Sequence, residues 1–221
     1  MGQIGSKHVF WQALLSAVLI FGVGILLGVW IEHGRNTTLE NGLLTSEINV
    51  LDSQLLGQVS QNFNVGCNLS KQEVIELSDR IYNEAKSLEQ YDSSSQLTDT
   101  LQLLHKRYDI LRVILWNQAA NVGKACRGDF HTVVYLYQYK NPSIEVDSTQ
   151  TVFSRILEDI KQKEGDRIVL IPIAGDLNIS SIDLIKKKYN LDDGYPIVIV
   201  DETKVIKTIA ELTAIQQSLT S

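Results

Sequence analysis

The hydrophobic pattern of this chain changes character along its length. From Val9 to Ile31 no charged residue interrupts an apolar run. At about 1.5 Å of rise per residue such a run crosses a hydrocarbon layer of about 30 Å, so it predicts a transmembrane helix. Trp11 and Trp30 stand near its two ends, where an indole ring is at home in the interface. The uncharged run is longer than the apolar core of a signal peptide, and Gly28-Val29-Trp30-Ile31-Glu32 is a poor cleavage site, which favours an uncleaved anchor. Beyond it, Leu44, Ile48, Leu51, Leu55 and Val59 recur three or four residues apart, the stripe of an amphipathic helix and too short a run to establish a coiled coil.

Two further helical patterns follow. Ser70-Lys71-Gln72-Glu73 reads as a capping box ahead of Val74, Leu77, Ile81, Ala85 and Leu88. After the polar turn Asp92-Ser93-Ser94-Ser95, a second stripe runs through Leu97, Leu101, Leu104, Tyr108, Leu111, Leu115 and Val122 towards Gly123, a C-cap candidate. Two helices joined by a short turn lie antiparallel, which brings Cys67, before the first, near Cys126, after the second.

The period then becomes that of strands. Thr132 to Tyr139 is β-branched and aromatic, as expected of a buried central strand. Val152, Phe153, Ile156, Leu157 and Ile160 mark a helix, with Asp147 or Ser148 as its cap. Arg167 to Ile173 predicts a second strand, parallel to the first because a helix joins them. A helix over Ile182 to Tyr189, a hairpin of Ile197 to Val200 with Lys204 to Ile209, and a last helix marked by Leu212, Ile215 and Leu219 complete the order β-α-β-α-β-β-α.

Within that order, Leu184-Ile185-Lys186-Lys187-Lys188-Tyr189-Asn190-Leu191 leads through Asp192-Asp193-Gly194-Tyr195-Pro196 into Ile197-Val198-Ile199-Val200. From Thr132 to the end this resembles the thioredoxin-like superfamily, in which a cis-proline opens the hairpin. The resemblance implies a mixed four-stranded sheet and a groove beside Tyr195 and Pro196. It does not carry the family's redox chemistry. The segment where a Cys-x-x-Cys pair would stand is Glu145-Val146-Asp147-Ser148, so Glu145 and Ser148 replace the pair. Glu145, Asp147 and Tyr195 could hold a hard cation, but acidic residues at helix starts are ordinary and no metal site is expected. A groove at Tyr195 and Pro196 suits an extended peptide instead.

The expected organisation is a terminal segment at 1–8, a span at 9–31, a helical stalk at 36–64, a helical hairpin at 67–126 and a thioredoxin-like domain at 130–221. A Cys67–Cys126 disulfide would close a loop of about 60 residues and stabilise the hairpin by about 4 kcal/mol. It would also imply an oxidising compartment. Asn36, Asn68 and Asn178 begin Asn-x-Ser/Thr glycosylation sequons.

Charge narrows the classes. The net charge is −6 with dispersed Lys and Arg, which gives no basic groove for nucleic acid. Lys7 against Arg35 leaves only a slight positive-inside bias, amino terminus in the cytoplasm and domain outside. The myristoylation pattern Met1-Gly2-Gln3-Ile4-Gly5-Ser6 is read as accidental before a spanning helix. Gly24 and Gly28 form a GxxxG pair suited to a homodimer. His8, His33, His105 and His131 lack metal-ligand spacing, and no catalytic triad or phosphate-binding loop appears, so no cofactor is expected.

The sequence therefore points to a membrane-anchored binding or assembly module with a protein or peptide partner. Two alternatives stand beside it: a thiol-disulfide oxidoreductase using Cys67 and Cys126, and a structural subunit of a membrane complex.

Overall fold

The computed structural model describes residues 6–63, 65–92, 98–126, 130–191 and 194–219, with side chains over 9–29, 47–60, 62–63, 65–86, 102–126, 130–191 and 194–216. The myristoylation motif, the turn at 93–97, the segment 127–129 and the pair Asp192-Asp193 lie outside the described residues. So do the side chains of Lys7, His8, Trp30, His33, Arg35, Asn36, Leu44, Leu88 and Leu101. The chain divides into two compact units, 1–51 and 52–221.

Helix α1 spans Ser6–Asn62, so no break separates the anticipated span from the stalk. Its segment Val9–Val29 is long and apolar enough to cross a membrane, and none of it is buried. In the second unit the last turns of α1 depart from the expectation for a packing helix. Leu55 and Val59 of the apolar stripe are exposed, whereas Ser53 is fully buried and Leu56, Gly57 and Ser60 are half-buried. The small and polar side of the helix is the side that packs.

Helices α2 (Cys67–Asp92) and α3 (Thr98–Cys126) pack against each other. Val74, Leu77 and Ile81 are buried on α2, and Tyr108, Leu111, Leu115 and Trp116 on α3. Helix α2 begins one turn earlier than the capping-box reading placed it: Ser70 N–H already donates to Gly66 O at 3.0 Å, and the Ser70 hydroxyl turns back to Val65 O. Likewise α3 runs through Gly123 to Cys126.

Strands β1 (His131–Tyr137), β2 (Ile168–Ala174), β3 (Ile197–Val200) and β4 (Lys204–Ile206) form one mixed sheet in the order β2-β1-β3-β4. β1 and β2 are parallel, and the β1–β3 and β3–β4 pairs are antiparallel. Pro172 is accommodated because β2 is an edge strand, where a missing N–H need not break a ladder. β4 stops at Ile206, short of the expected Ile209, because Thr208 and Glu211 build a capping box for α6 (Ile209–Leu219). Those N–H donors hold the exposed Glu211 carboxyl below its ordinary pKa, the Lys207 backbone contributing most.

Alternation of side chains gives the sheet two buried faces. Val133, Tyr135, Val198, Val200 and Ile206 pack with Phe153, Leu157 and Ile160 of α4 (Ile144–Glu164) and with Leu212 and Ile215 of α6. On the other face, Val134, Leu136, Ile171, Ile173 and Ile199 are buried where α3 crosses β1 and β2. Helix α5 (Ser180–Tyr189) buries Ile182. The cap of α4 is Ser143, whose hydroxyl accepts from Val146 N–H at 3.3 Å, rather than Asp147 or Ser148, because the helix begins at Ile144.

Candidate functional site

The Cys67–Cys126 disulfide joins the first residue of α2 to the last residue of α3, with the Cα atoms 5.5 Å apart. The bond is not sealed in the core, since Cys67 is exposed and Cys126 half-buried. Both line a cavity of about 300 Å³ together with Gly57, Glu73, Gln118 and Asn121.

Gly57, Gln118 and Asn121 also line a larger cleft of about 570 Å³, walled by the last turns of α1, by α3 and by α5. The α1 wall is held by Ser53: its carbonyl accepts from Gln118 Nε2, and its hydroxyl accepts from Arg80 at 3.3 Å. Gly57 permits the approach, because a Cβ there would come within 3.1 Å of the Gln118 side chain. Gln54, Gln58, Asn117, Gln118 and Asn121 give the cleft carboxamide donors and acceptors, while Leu184 and Ile185 give it apolar surface. Leu184 is 70% exposed.

Glu202 also lines the cleft. It sits with Asp201 in the β3–β4 turn, whose ends are joined by Thr203 N–H to Val200 O at 3.1 Å. Both residues have positive φ, 47° and 54°, the left-handed conformation that Gly and Asn adopt most readily. Side chains compensate. Glu202 Oε1 accepts from Trp116 Nε1 and Thr132 Oγ1, both at 2.8 Å, and Tyr189 donates to Glu202 O at 2.9 Å. Asp201 accepts from Thr132 N–H at 3.0 Å and pairs with His131 Nδ1 at 2.7 Å. The Trp116 and Tyr189 rings stack at 6.4 Å.

A second polar cluster lies beneath α3. Asp109 is fully buried and takes Arg112 NH1 on Oδ1 at 3.0 Å, whereas Oδ2 has no hydrogen-bond partner. Burial pushes its carboxyl up to about 6, against the opposing pull of Arg112 and the Ala174 backbone. Burial likewise raises the Tyr137 phenol. An ionisable group desolvated in this way is either a functional residue or a structural lock. Asp109 belongs to α3 and Ala174 to β2, so the carboxyl lies where helix and sheet meet.

The residues singled out by sequence have separate fates. Tyr195–Pro196 is a cis peptide. The Tyr195 hydroxyl donates to Gly175 O at 2.6 Å, Lys186 Nζ reaches the same carbonyl at 3.2 Å, and the tyrosine ring fills the space that a Gly175 Cβ would occupy. Neither of the two cavities is lined by Tyr195 or Pro196. Glu145 and Ser148 are exposed in the first turns of α4, and the Ser148 hydroxyl is turned to Ile144 O. Gln150 instead ties α4 to the segment after β1, accepting from Gln138 N–H at 2.6 Å. Asn68 and Asn178 are exposed, in the first turn of α2 and just before α5. Among the described residues no group of three or more His, Cys, Asp or Glu side chains could hold a metal ion.

Glu202, Trp116, Asp109 and the carboxamides stand outside the local pattern, apart from Gln118, a buried polar residue within the spacing of the apolar α3 stripe. Compared with models of known protein families, with curated proteins and with solved structures, the chain matches none.

Proposed function

We propose that this chain is a single-pass membrane protein whose outward-facing thioredoxin-like domain lacks thiol chemistry at the usual position and binds an extended segment of a partner protein. The observation that carries the reading is the cleft of about 570 Å³, in which the carboxamides of Gln54, Gln58, Asn117 and Asn121 stand beside exposed Leu184. A peptide in extended form offers unpaired backbone N–H and C=O groups to such carboxamides, and its apolar side chains cover such a leucine. This reading puts the peptide on the α3–α5 side of the domain; at the Tyr195–Pro196 loop the tyrosine hydroxyl is engaged with Gly175 O.

Several features support the rest of the reading. The apolar helix Val9–Val29 serves as the anchor. The order β2-β1-β3-β4, with helices on both faces and a proline ahead of β3, agrees with a thioredoxin-like scaffold. The disulfide favours an oxidising compartment, hence an extracytoplasmic domain with the amino terminus in the cytoplasm. Gly24 and Gly28 leave their side of α1 open to a second copy, since a Cβ at either position meets nothing within 4 Å.

The test is peptide binding by the full chain in lipid nanodiscs, using a library of extended peptides and a photo-crosslinking residue at position 184. The expected result is binders that crosslink at 184 and lose about tenfold or more in affinity when Leu184→Asp removes the apolar wall. Binding that ignores Leu184→Asp, or a library with no binder, defeats the reading.

A further inference from the structure

We infer that the Cys67–Cys126 disulfide is a redox gate on the cleft: opening the bond by a dithiol reductant releases the α1 wall and weakens the grip on whatever the cleft holds. The effect on a ligand rests on the peptide reading above; the gate itself does not.

Three observations carry it. First, the bond is reachable, with Cys67 exposed and both cysteines lining a cavity of about 300 Å³. Second, that cavity and the larger cleft share Gly57, Gln118 and Asn121, so the bond and the cleft act on the same walls. Third, the packed side of the α1 wall is small and polar among the described residues. The apolar Leu55 and Val59 face outward, and the packed side consists of Ser53, Leu56, Gly57 and Ser60. Ser53 is fastened by hydrogen bonds to Gln118 and Arg80. Only residues 63–66 separate the end of α1 from Cys67, so the disulfide pins the α1–α2 junction to the end of α3. Loss of the bond leaves the deeper α2–α3 contacts, through Val74, Leu77 and Ile81, in place. Release is thereby confined to one end of the hairpin.

The chemistry is an ordinary exchange. A thiolate of the dithiol attacks Cys126 Sγ, and Cys67 Sγ leaves as a thiolate against the free N–H groups of the first turn of α2. The second thiol of the reductant then displaces Cys126 and departs as a cyclic disulfide. Two electrons pass to the protein, and each cysteine ends with one proton. Exposed disulfides exchange more readily than buried ones, which suits a regulated bond.

The test is hydrogen exchange by mass spectrometry on the full chain in nanodiscs, across a series of reduced and oxidised dithiothreitol, with alkylation reporting the thiol state. Reduction is expected to speed amide exchange by about tenfold or more over 52–70 and 117–126 while β1 and β3 keep their protection. Cys67→Ser with Cys126→Ser should match the reduced wild type; if that variant does not fold, the reduced wild-type trace decides. A bond that resists reduction until the sheet itself unfolds, or that is reduced without any change in exchange, overturns the gate. Because exchange needs no peptide, a chain that responds to reduction yet binds no peptide retains the gate and loses only the peptide reading. A peptide affinity that stays constant on reduction while exchange rises overturns the effect on the cleft.

Discussion

The indole N–H of Trp116 donates to Glu202 Oε1 at 2.8 Å, joining α3 to the β3–β4 turn across 86 residues of sequence. Through this bond the helical hairpin and the sheet share one polar anchor. Its surroundings explain how two non-glycine residues hold positive φ in a tight turn. Strain of about 1–3 kcal/mol per residue is offset by hydrogen bonds to a carboxylate, each stronger than a neutral one.

Replacing Glu202 separates the two effects. Glu202→Ala leaves the buried Trp116 N–H and Thr132 hydroxyl without their acceptor and is expected to destabilise by about 1–3 kcal/mol. Glu202→Gly loses the same acceptor but relieves the backbone, so it should recover about 1 kcal/mol relative to alanine. Glu202→Gln, which retains an acceptor oxygen, should be the mildest of the three. Urea unfolding ranks them, and a glycine variant no more stable than the alanine variant would show that the turn is unstrained.

Asp109 makes stability depend on pH in the direction opposite to most carboxylates. Its ordinary value is 3.8 and the fold raises it to about 6, so between these limits the native state binds more protons than the unfolded chain. This contribution is fully present below pH 3.8 and is lost as pH rises through about 6, a change of roughly 3 kcal/mol. Asp109→Asn should therefore flatten the stability profile between about pH 4 and 6 relative to wild type. Chemical denaturation at closely spaced pH values measures this, and parallel profiles for the two proteins would rule the assignment out.

Gly175 and Tyr195 form a coupled pair. A Cβ at position 175 overlaps the tyrosine ring, so Gly175→Ala must displace it, at a cost of about 1–3 kcal/mol. Tyr195→Phe loses only the hydroxyl bond to Gly175 O, at about 1 kcal/mol. Combining Gly175→Ala with Tyr195→Ala should cost less than the sum of the single changes, because the clash disappears with the ring. Thermal unfolding of Gly175→Ala, Tyr195→Ala and the double variant tests the coupling; strict additivity would refute it.

Gly57 sets how closely α1 approaches α3. Gly57→Ala brings a Cβ to 3.1 Å from the flexible Gln118 side chain while gaining about 1 kcal/mol of helix propensity, so stability should change little. Gly57→Leu has no such room and should lift the α1 wall. Hydrogen exchange over 52–62 should rise in the leucine variant alone.

What depends on neighbours along the chain is legible in the residues alone. Period and composition located the apolar span, the paired helices and the succession of strands and helices along the chain, because burial writes a period of 3.6 or 2 directly into the residues. The cysteine pairing was legible for a related reason: two antiparallel helices of similar length bring their outer ends together. Tertiary structure alone decided which face of α1 packs. Its apolar stripe promised Leu55 and Val59 as the contact, yet Ser53 and Gly57 make it, because Gln118 offers hydrogen bonds and a close approach that no periodicity encodes. The cleft and its anchors belong to the same category. Glu202 meets Trp116 and Thr132, and Asp109 lies buried against the sheet, through contacts between residues distant in sequence. Such polar partnerships leave no local pattern. They arise only where the packing of α3 on the sheet removes water from groups that must then satisfy one another.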